Sequence, residues 1–168
     1  IGTADNWHAL IGDPVSPDLA NILSVELARV REINDGLSEP FSTSKRLTKL
    51  RQILTAQKIA GFIVPLADEH QGEYVPNFAQ RLAWLTGFTG SAGLAIVLTD
   101  KAAIFVDGRY TLQAREQVDN ELFEINHSVD NPPAAWIADN LKSGEKLGFD
   151  PWLHTSDSLV QFRKACDK

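Results

Sequence analysis

The stretch Leu82-Ala83-Trp84-Leu85-Thr86-Gly87-Phe88-Thr89-Gly90-Ser91-Ala92-Gly93 decides the fold, together with the segments just after it: Leu94 to Leu98, Thr99-Asp100-Lys101, Ala102 to Val106 and Asp107-Gly108-Arg109-Tyr110. Two apolar, β-rich runs split by three polar residues read as a hairpin. Antiparallel strands can be joined by so few residues, whereas parallel strands need a crossover. The glycines at 87, 90 and 93 supply positive φ or close backbone approach just before the hairpin. Asp107-Gly108 is a turn signal that ends the second strand and aims Arg109 outward.

The same stretch excludes several chemistries. Its glycine spacing is not the dinucleotide fingerprint, and no Gly-Lys-Ser/Thr comes after it to make a phosphate loop. Ser91 is not in a nucleophile elbow, because Thr89 stands where that motif needs glycine. The glycines read as a tight loop feeding a hairpin.

Upstream, Ser44 to Gln57 places Leu47, Leu50, Ile53 and Leu54 on one face of a predicted helix. It leads into Ile59 to Pro65, a short apolar run suited to a buried strand. Downstream the pattern predicts a helix over Tyr110 to Val118, a strand over Leu122 to His127, and a helix over Pro133 to Leu141. A last short strand, Lys146 to Phe149, is succeeded by the Asp150-Pro151 turn and a final helix that includes Leu159 to Lys168. Five candidate strands interleaved with helices, one pair antiparallel, predict an α/β fold. Its mixed sheet should have about five to six strands flanked by helices. Residues 1–43 form an extension: Ser16-Pro17 opens an amphipathic helix that Asn34-Asp35-Gly36 ends, and Leu37 to Thr43 is a linker. That helix either packs on the 44–168 domain or serves as a dimer arm.

At 168 residues the chain is long enough for one ordinary core. A net charge of −6 argues against a nucleic-acid or anionic-membrane surface, which would be basic. No apolar run approaches the roughly 20 residues that span a bilayer. Asp5, His8 and Asp13, without a basic run, are not what a secretory leader offers. The single cysteine, Cys166, leaves no internal disulfide and fits a reducing, cytoplasmic setting. Methionine is absent even at position 1, so the expectation is a piece of a longer chain.

Asp68, Glu69, His70 and Glu73 gather carboxylates and an imidazole within six residues after a strand, which invites a metal. His70 and Glu73 would supply two or three ligands at most and nothing nearby completes the set. A polar loop and first helical turn, its acids favoured by the helix dipole, explains the same residues. Arg109 can hold a carboxylate or a peptide carbonyl by paired donors, but a surface ion pair with Asp107 or Glu116 is the reading the residues alone favour. His8, His127 and His154 stand isolated and read as structural or solvated. Cys166 lacks a partner that would make it a nucleophile. Trp84 reads as a core aromatic, and Phe88 as core or groove.

Three blocks in order carry a resemblance: Pro65-Leu66-Ala67-Asp68-Glu69-His70-Gln71-Gly72-Glu73-Tyr74, then Trp84 to Gly93, then Val106-Asp107-Gly108-Arg109-Tyr110. Together they resemble the N-terminal domain of aminopeptidase P, a Xaa-Pro aminopeptidase, in its large three-domain form. The likeness runs from about Ser44 to the C-terminus, including Lys146 to Trp152, and leaves residues 1–43 unexplained. It implies a creatinase-like α/β domain that is itself non-catalytic. Hydrolysis in that family belongs to a C-terminal pita-bread domain, absent from this chain, with two divalent metal ions, as a rule manganese. The first domain walls the active site. The resemblance implies a substrate contact by Arg109, and places the loop carrying His70 on the same face. The partners it implies are proline-containing peptides and the C-terminal catalytic domain of the same chain; a homodimer is a separate expectation, resting on the dimer-arm reading of residues 1–43. Two rivals are a stand-alone binding or assembly module of this fold, and the first domain of a prolidase or creatinase.

Overall fold

The computed structural model describes residues 42–166. The extension up to Phe41, with its expected helix, lies outside them. Helix α1 (Thr43–Ala56) opens on Ser42, whose hydroxyl accepts a hydrogen bond from the Lys45 N–H, and buries Leu47, Leu50 and Leu54. The strands are β1 (Gly61–Pro65), β2 (Gly93–Leu98), β3 (Ala102–Val106), β4 (Glu124–His127) and β5 (Leu147–Phe149). The remaining helices are α2 (Arg81–Thr86), α3 (Thr111–Gln117), α4 (Pro133–Asn140) and α5 (Ser156–Cys166).

The expected hairpin is β2–β3, antiparallel, with Val97 opposite Ala102 and Gly93 opposite Val106. Its turn is closed by the Leu98 N–H donating to the Lys101 carbonyl at 2.8 Å. β1 is antiparallel to β2, while β5 joins β1 and β4 joins β3 in parallel, giving the order β4-β3-β2-β1-β5. Strands β1, β3, β4 and β5 thus all point one way and β2 alone is reversed. The sheet is mixed and five-stranded, as the sequence predicts.

Both sheet faces are covered. Phe62, Val64, Ala95, Val97, Ala102, Ile104 and Val106 pack with the apolar sides of α1, α2 and α3. Ile63, Ile96, Leu98, Ala103, Phe105, Leu147 and Phe149 pack with α4 and α5. Alternate residues of one strand thus enter opposite cores, so the central strands must be apolar throughout.

Three expected boundaries move, each for a local reason. Ile59 lies in the turn that closes α1 rather than in β1: Lys58 takes a positive φ of 56°, and the Ile59 N–H donates back to the Leu54 carbonyl. Leu122 and Phe123 are held in a turn by donating to the Asp119 carbonyl, so β4 starts at Glu124. Asp68 to Glu73 is not the first turn of a helix. It is an open loop, and the next helical element is a single turn at Asn77–Ala79.

Among the described residues, both cores are built from positions between Leu47 and Ala165. The chain shortened to begin at Ser42 should therefore stay soluble and unfold cooperatively. Beginning at Ser44 instead removes the N-cap and should cost about 1 kcal/mol in urea denaturation. Aggregation of the Ser42 form would show that the extension belongs to the core.

Candidate functional site

Because four strands run in parallel, their carboxyl ends share one edge of the sheet, together with the loop that enters the reversed β2. That edge carries Pro65 at the end of β1 and the loop to Tyr74, Gly87 to Ala92 before β2, Asp107 to Tyr110 after β3, His127 at the end of β4, and Asp150 to His154 after β5. Carboxyl edges are where open α/β sheets receive ligands, because the strand ends release the chain into loops there. All three sequence blocks meet on it.

Arg109 stands out from the edge, its side chain 71% exposed. Asp107 ends β3 and accepts the Arg109 backbone N–H at 2.9 Å, which turns the chain into one turn of 3₁₀ helix at Gly108–Tyr110. The same carboxylate receives the guanidinium fork: Nε lies 3.1 Å from Oδ1, and Nη2 lies 2.6 Å from Oδ2. This hydrogen-bonded pairing holds the Asp107 carboxyl below its ordinary range and raises Arg109. Nη1 has no partner among the described residues. The outer edge of the fork is thus oriented outward and available to an oxygen acceptor.

His70 is at the surface, 82% exposed, with its Nε2 3.9 Å from Glu69. Asp68 is buried, but Oδ1 is occupied in closing its own loop, accepting from the His70 and Gly72 N–H groups at 3.0 and 3.2 Å. Among the described residues no three or more His, Cys, Asp or Glu side chains are grouped to hold a metal ion. The Asp68–Glu73 cluster is a self-capped loop.

Glycine roles divide along the loop before β2. Gly87 ends α2 at φ 83°, the left-handed conformation that a side chain resists. Thr89 is fastened to α3 by its N–H donating to Gln117 Oε1 at 2.9 Å. Phe88 is fully buried, and Ser91 Oγ and Tyr110 Oη lie 2.5 Å apart. No motif announces the Ser91–Tyr110 pair. The hairpin only brings the two segments near each other: continuing from Gly93–Val106 by two steps sets Ser91 against Gly108, two residues before Tyr110.

Trp84 is half-buried rather than central, covered by the Arg46 guanidinium at 5.3 Å, and Arg46 also donates to the Trp84 carbonyl. Beside it a cleft is lined by Phe62, Arg81, Trp84, Asp150 and Leu153. Its free volume of about 20 Å³ is far too small for a peptide or cofactor. Asp150, also unsingled by sequence beyond its turn with Pro151, is buried there and caps the next turn by accepting from the Trp152 N–H. Burial raises its carboxyl, against the pull of that hydrogen bond and of Arg81. His127 pairs with Asp130 at 3.2 Å.

A family model described as the creatinase/prolidase N-terminal domain matches residues 46–168. A protein named Probable Xaa-Pro aminopeptidase P from Ajellomyces capsulatus (strain G186AR) is 41% identical over 131 residues, which are 77% of this chain and 21% of that protein. Xaa-Pro aminopeptidase 2 from Homo sapiens is 40% identical over 122 residues, 72% of this chain and 18% of that one. The chain spans about a fifth of the length of these relatives. Among solved structures, the X-prolyl aminopeptidase of Caenorhabditis elegans is described as a cytosolic enzyme with a di-nuclear active site. It matches with a TM-score of 0.65 at 28% identity, over 74% of this chain and 23% of its own. The N-terminal domain of a cytoplasmic peptidase from Mycobacterium tuberculosis H37Rv matches with a TM-score of 0.52 at 25% identity, over 73% and 85%.

One titration at this edge is measurable. His154 sits edge-on to Phe149 (5.7 Å) and Phe162 (6.4 Å), with Nε2 buried and without a hydrogen-bond partner among the described residues. Burial lowers its pKa from 6.5 to about 4. The unfolded chain therefore takes up the proton first as pH falls. The stability contributed by neutral His154 is complete above 6.5 and is lost on the way down to about 4, by on the order of 2–3 kcal/mol. Asp150 works the other way, its raised carboxyl favouring the fold at the acid end of the range. The difference in urea-unfolding free energy between wild type and His154→Phe isolates the histidine. It should fall steadily from pH 6.5 to pH 4; a flat difference would mean the folded imidazole is freely protonated.

Proposed function

Since this chain belongs to the creatinase/prolidase N-terminal domain family, we propose that it is the non-catalytic first domain of a cytoplasmic Xaa-Pro aminopeptidase. The whole protein releases the N-terminal residue from peptides with proline second. This domain walls the active site with its carboxyl edge and contacts the substrate through Arg109.

The observation that carries the reading is the placement of Arg109: exposed, held by Asp107, and presenting unused donors from an edge where three distinct sequence blocks converge. Exposed apolar side chains on the connections that leave this edge add support. Tyr74 (83%), Phe78 (59%), Leu112 (75%) and Trp152 (62%) are exposed on the connections after β1, β3 and β5, as suits a surface covered by the rest of a longer chain and by its substrate. The names of the relatives at about 40% identity favour an aminopeptidase over a prolidase or creatinase, and their length favours a part over a stand-alone module.

The described residues do not suit the family's two divalent metal ions, manganese by expectation. Asp68 is committed to its loop, and Glu69 and His70 face solvent without a third ligand among the described residues. Bond cleavage accordingly falls to another part of the protein. What this chain does is orient. A forked guanidinium fixes a peptide carbonyl or carboxylate by direction as well as charge, and His70 lies on the flanking loop of the same edge.

Two outcomes test this. The 168-residue chain alone should retain no stoichiometric manganese or zinc after dialysis and hydrolyse no Xaa-Pro peptide; metal analysis and a peptide assay decide it, and one tightly held ion per chain would contradict it. In the full-length protein, Arg109→Ala should lower kcat/KM by roughly 10- to 150-fold, the range for losing one charge-assisted contact. Arg109→Lys should recover only part of this, because a point charge lacks the fork. Unchanged kinetics with a large fall in Tm would make Arg109 a structural clamp instead.

A further inference from the structure

An exposed arginine is a poor substrate contact if its long side chain wanders, so what holds Arg109 matters as much as what it touches. Asp107 grips one edge of the guanidinium. The face of the guanidinium is held by something else: its central carbon lies 5.2 Å from the centroid of the Tyr110 ring.

That ring is itself fixed from three directions. Phe88, fully buried in the core, meets it edge-on at 5.8 Å and 85°. Ser91 Oγ holds its hydroxyl at 2.5 Å. Gly90 runs so close between the two rings that a Cβ there would stand 2.3 Å from Phe88 Cζ and 2.8 Å from Tyr110 Cδ1, distances that no side chain can occupy. The loop is anchored behind by the Phe88 N–H donating to Thr86 Oγ1 and by the Thr89–Gln117 bonds. A rigid path therefore leads from the core through Phe88 and Gly90 to Tyr110, and ends under Arg109.

We propose that Tyr110, locked by Ser91 and by the glycine loop, is a positioning residue that presents Arg109 to the substrate. The inference rests on the reading of Arg109 as a substrate contact and deepens it. Tyr110 touches no reacting atom and acts only through the guanidinium. The glycine loop is thus part of the binding apparatus although it contacts no substrate.

A double-mutant cycle in the full-length protein, assayed with a tripeptide that has proline second, tests it. Tyr110→Leu should lower kcat/KM roughly two- to five-fold, mainly through KM, the magnitude of an exposed cation–π support. Tyr110→Phe, which keeps the ring, should recover most of the loss. Ser91→Ala, a surface change that leaves the core alone, should give a smaller loss of the same kind. In the Arg109→Ala background Tyr110→Leu should have no further effect. A Tyr110→Leu loss that persists without Arg109, or no loss at all while Arg109→Ala is impaired, overturns the platform and leaves the substrate contact standing. If Arg109→Ala itself is silent, the substrate contact fails, and NMR on the 168-residue chain still judges the platform. The Arg109 Nε–H should be ordered in the wild type and mobile in Tyr110→Leu; equal mobility in both would overturn it.

Discussion

The structure depends on one constraint, the burial of the central strands on both faces. Ile96 and Phe105 point into one core while Val97 and Ile104 point into the other, all essentially inaccessible. Each such side chain contributes about 1.5–3 kcal/mol by leaving water. A sheet buried on both faces needs helices on both, and the connections that reach them must leave from the strand ends. Four of the five strands run in parallel, so their exits concentrate on a single edge. The loop-bearing edge is a consequence of how the core is closed.

That edge divides its polar groups between structure and presentation. Asp68, Asp107 and Asp150 each cap a turn by accepting backbone N–H groups, a short-range device that ends a strand cleanly. Only Asp107 also grips a second charge, and it does so in the open, where the ion pair orients its arginine far more than it stabilises the fold. Buried Asp150 and His154 are shifted mainly by desolvation, which ties them to stability rather than to ligand contact. Arg109 is the group at the edge whose donors are both oriented and unspent.

The Asp68–Glu73 segment shows how composition can mislead about metals. Ligand-type residues close in sequence are not thereby convergent in space, because an open loop sends successive side chains in different directions. Asp68 turns inward to satisfy its own backbone while Glu69 and His70 turn to solvent. A metal site needs three or four donors aimed at one point, and only the fold can supply that aim.

The sequence by itself determined the hairpin, the α/β class, the five strands and the outward turn at Arg109. Each of these rests on signals within a few residues: apolar runs that a doubly buried strand requires, and turn residues whose φ/ψ or side-chain acceptors act locally. The resemblance of three blocks to a family identified the domain and pointed to Arg109 before any geometry was available. Tertiary structure alone decided the rest. It set the strand order, brought the three blocks to one edge, and placed Tyr110 between Phe88, Ser91 and Arg109. Those outcomes join residues separated by tens of positions, and their cause is the shared burial of two sheet faces, which no local pattern encodes.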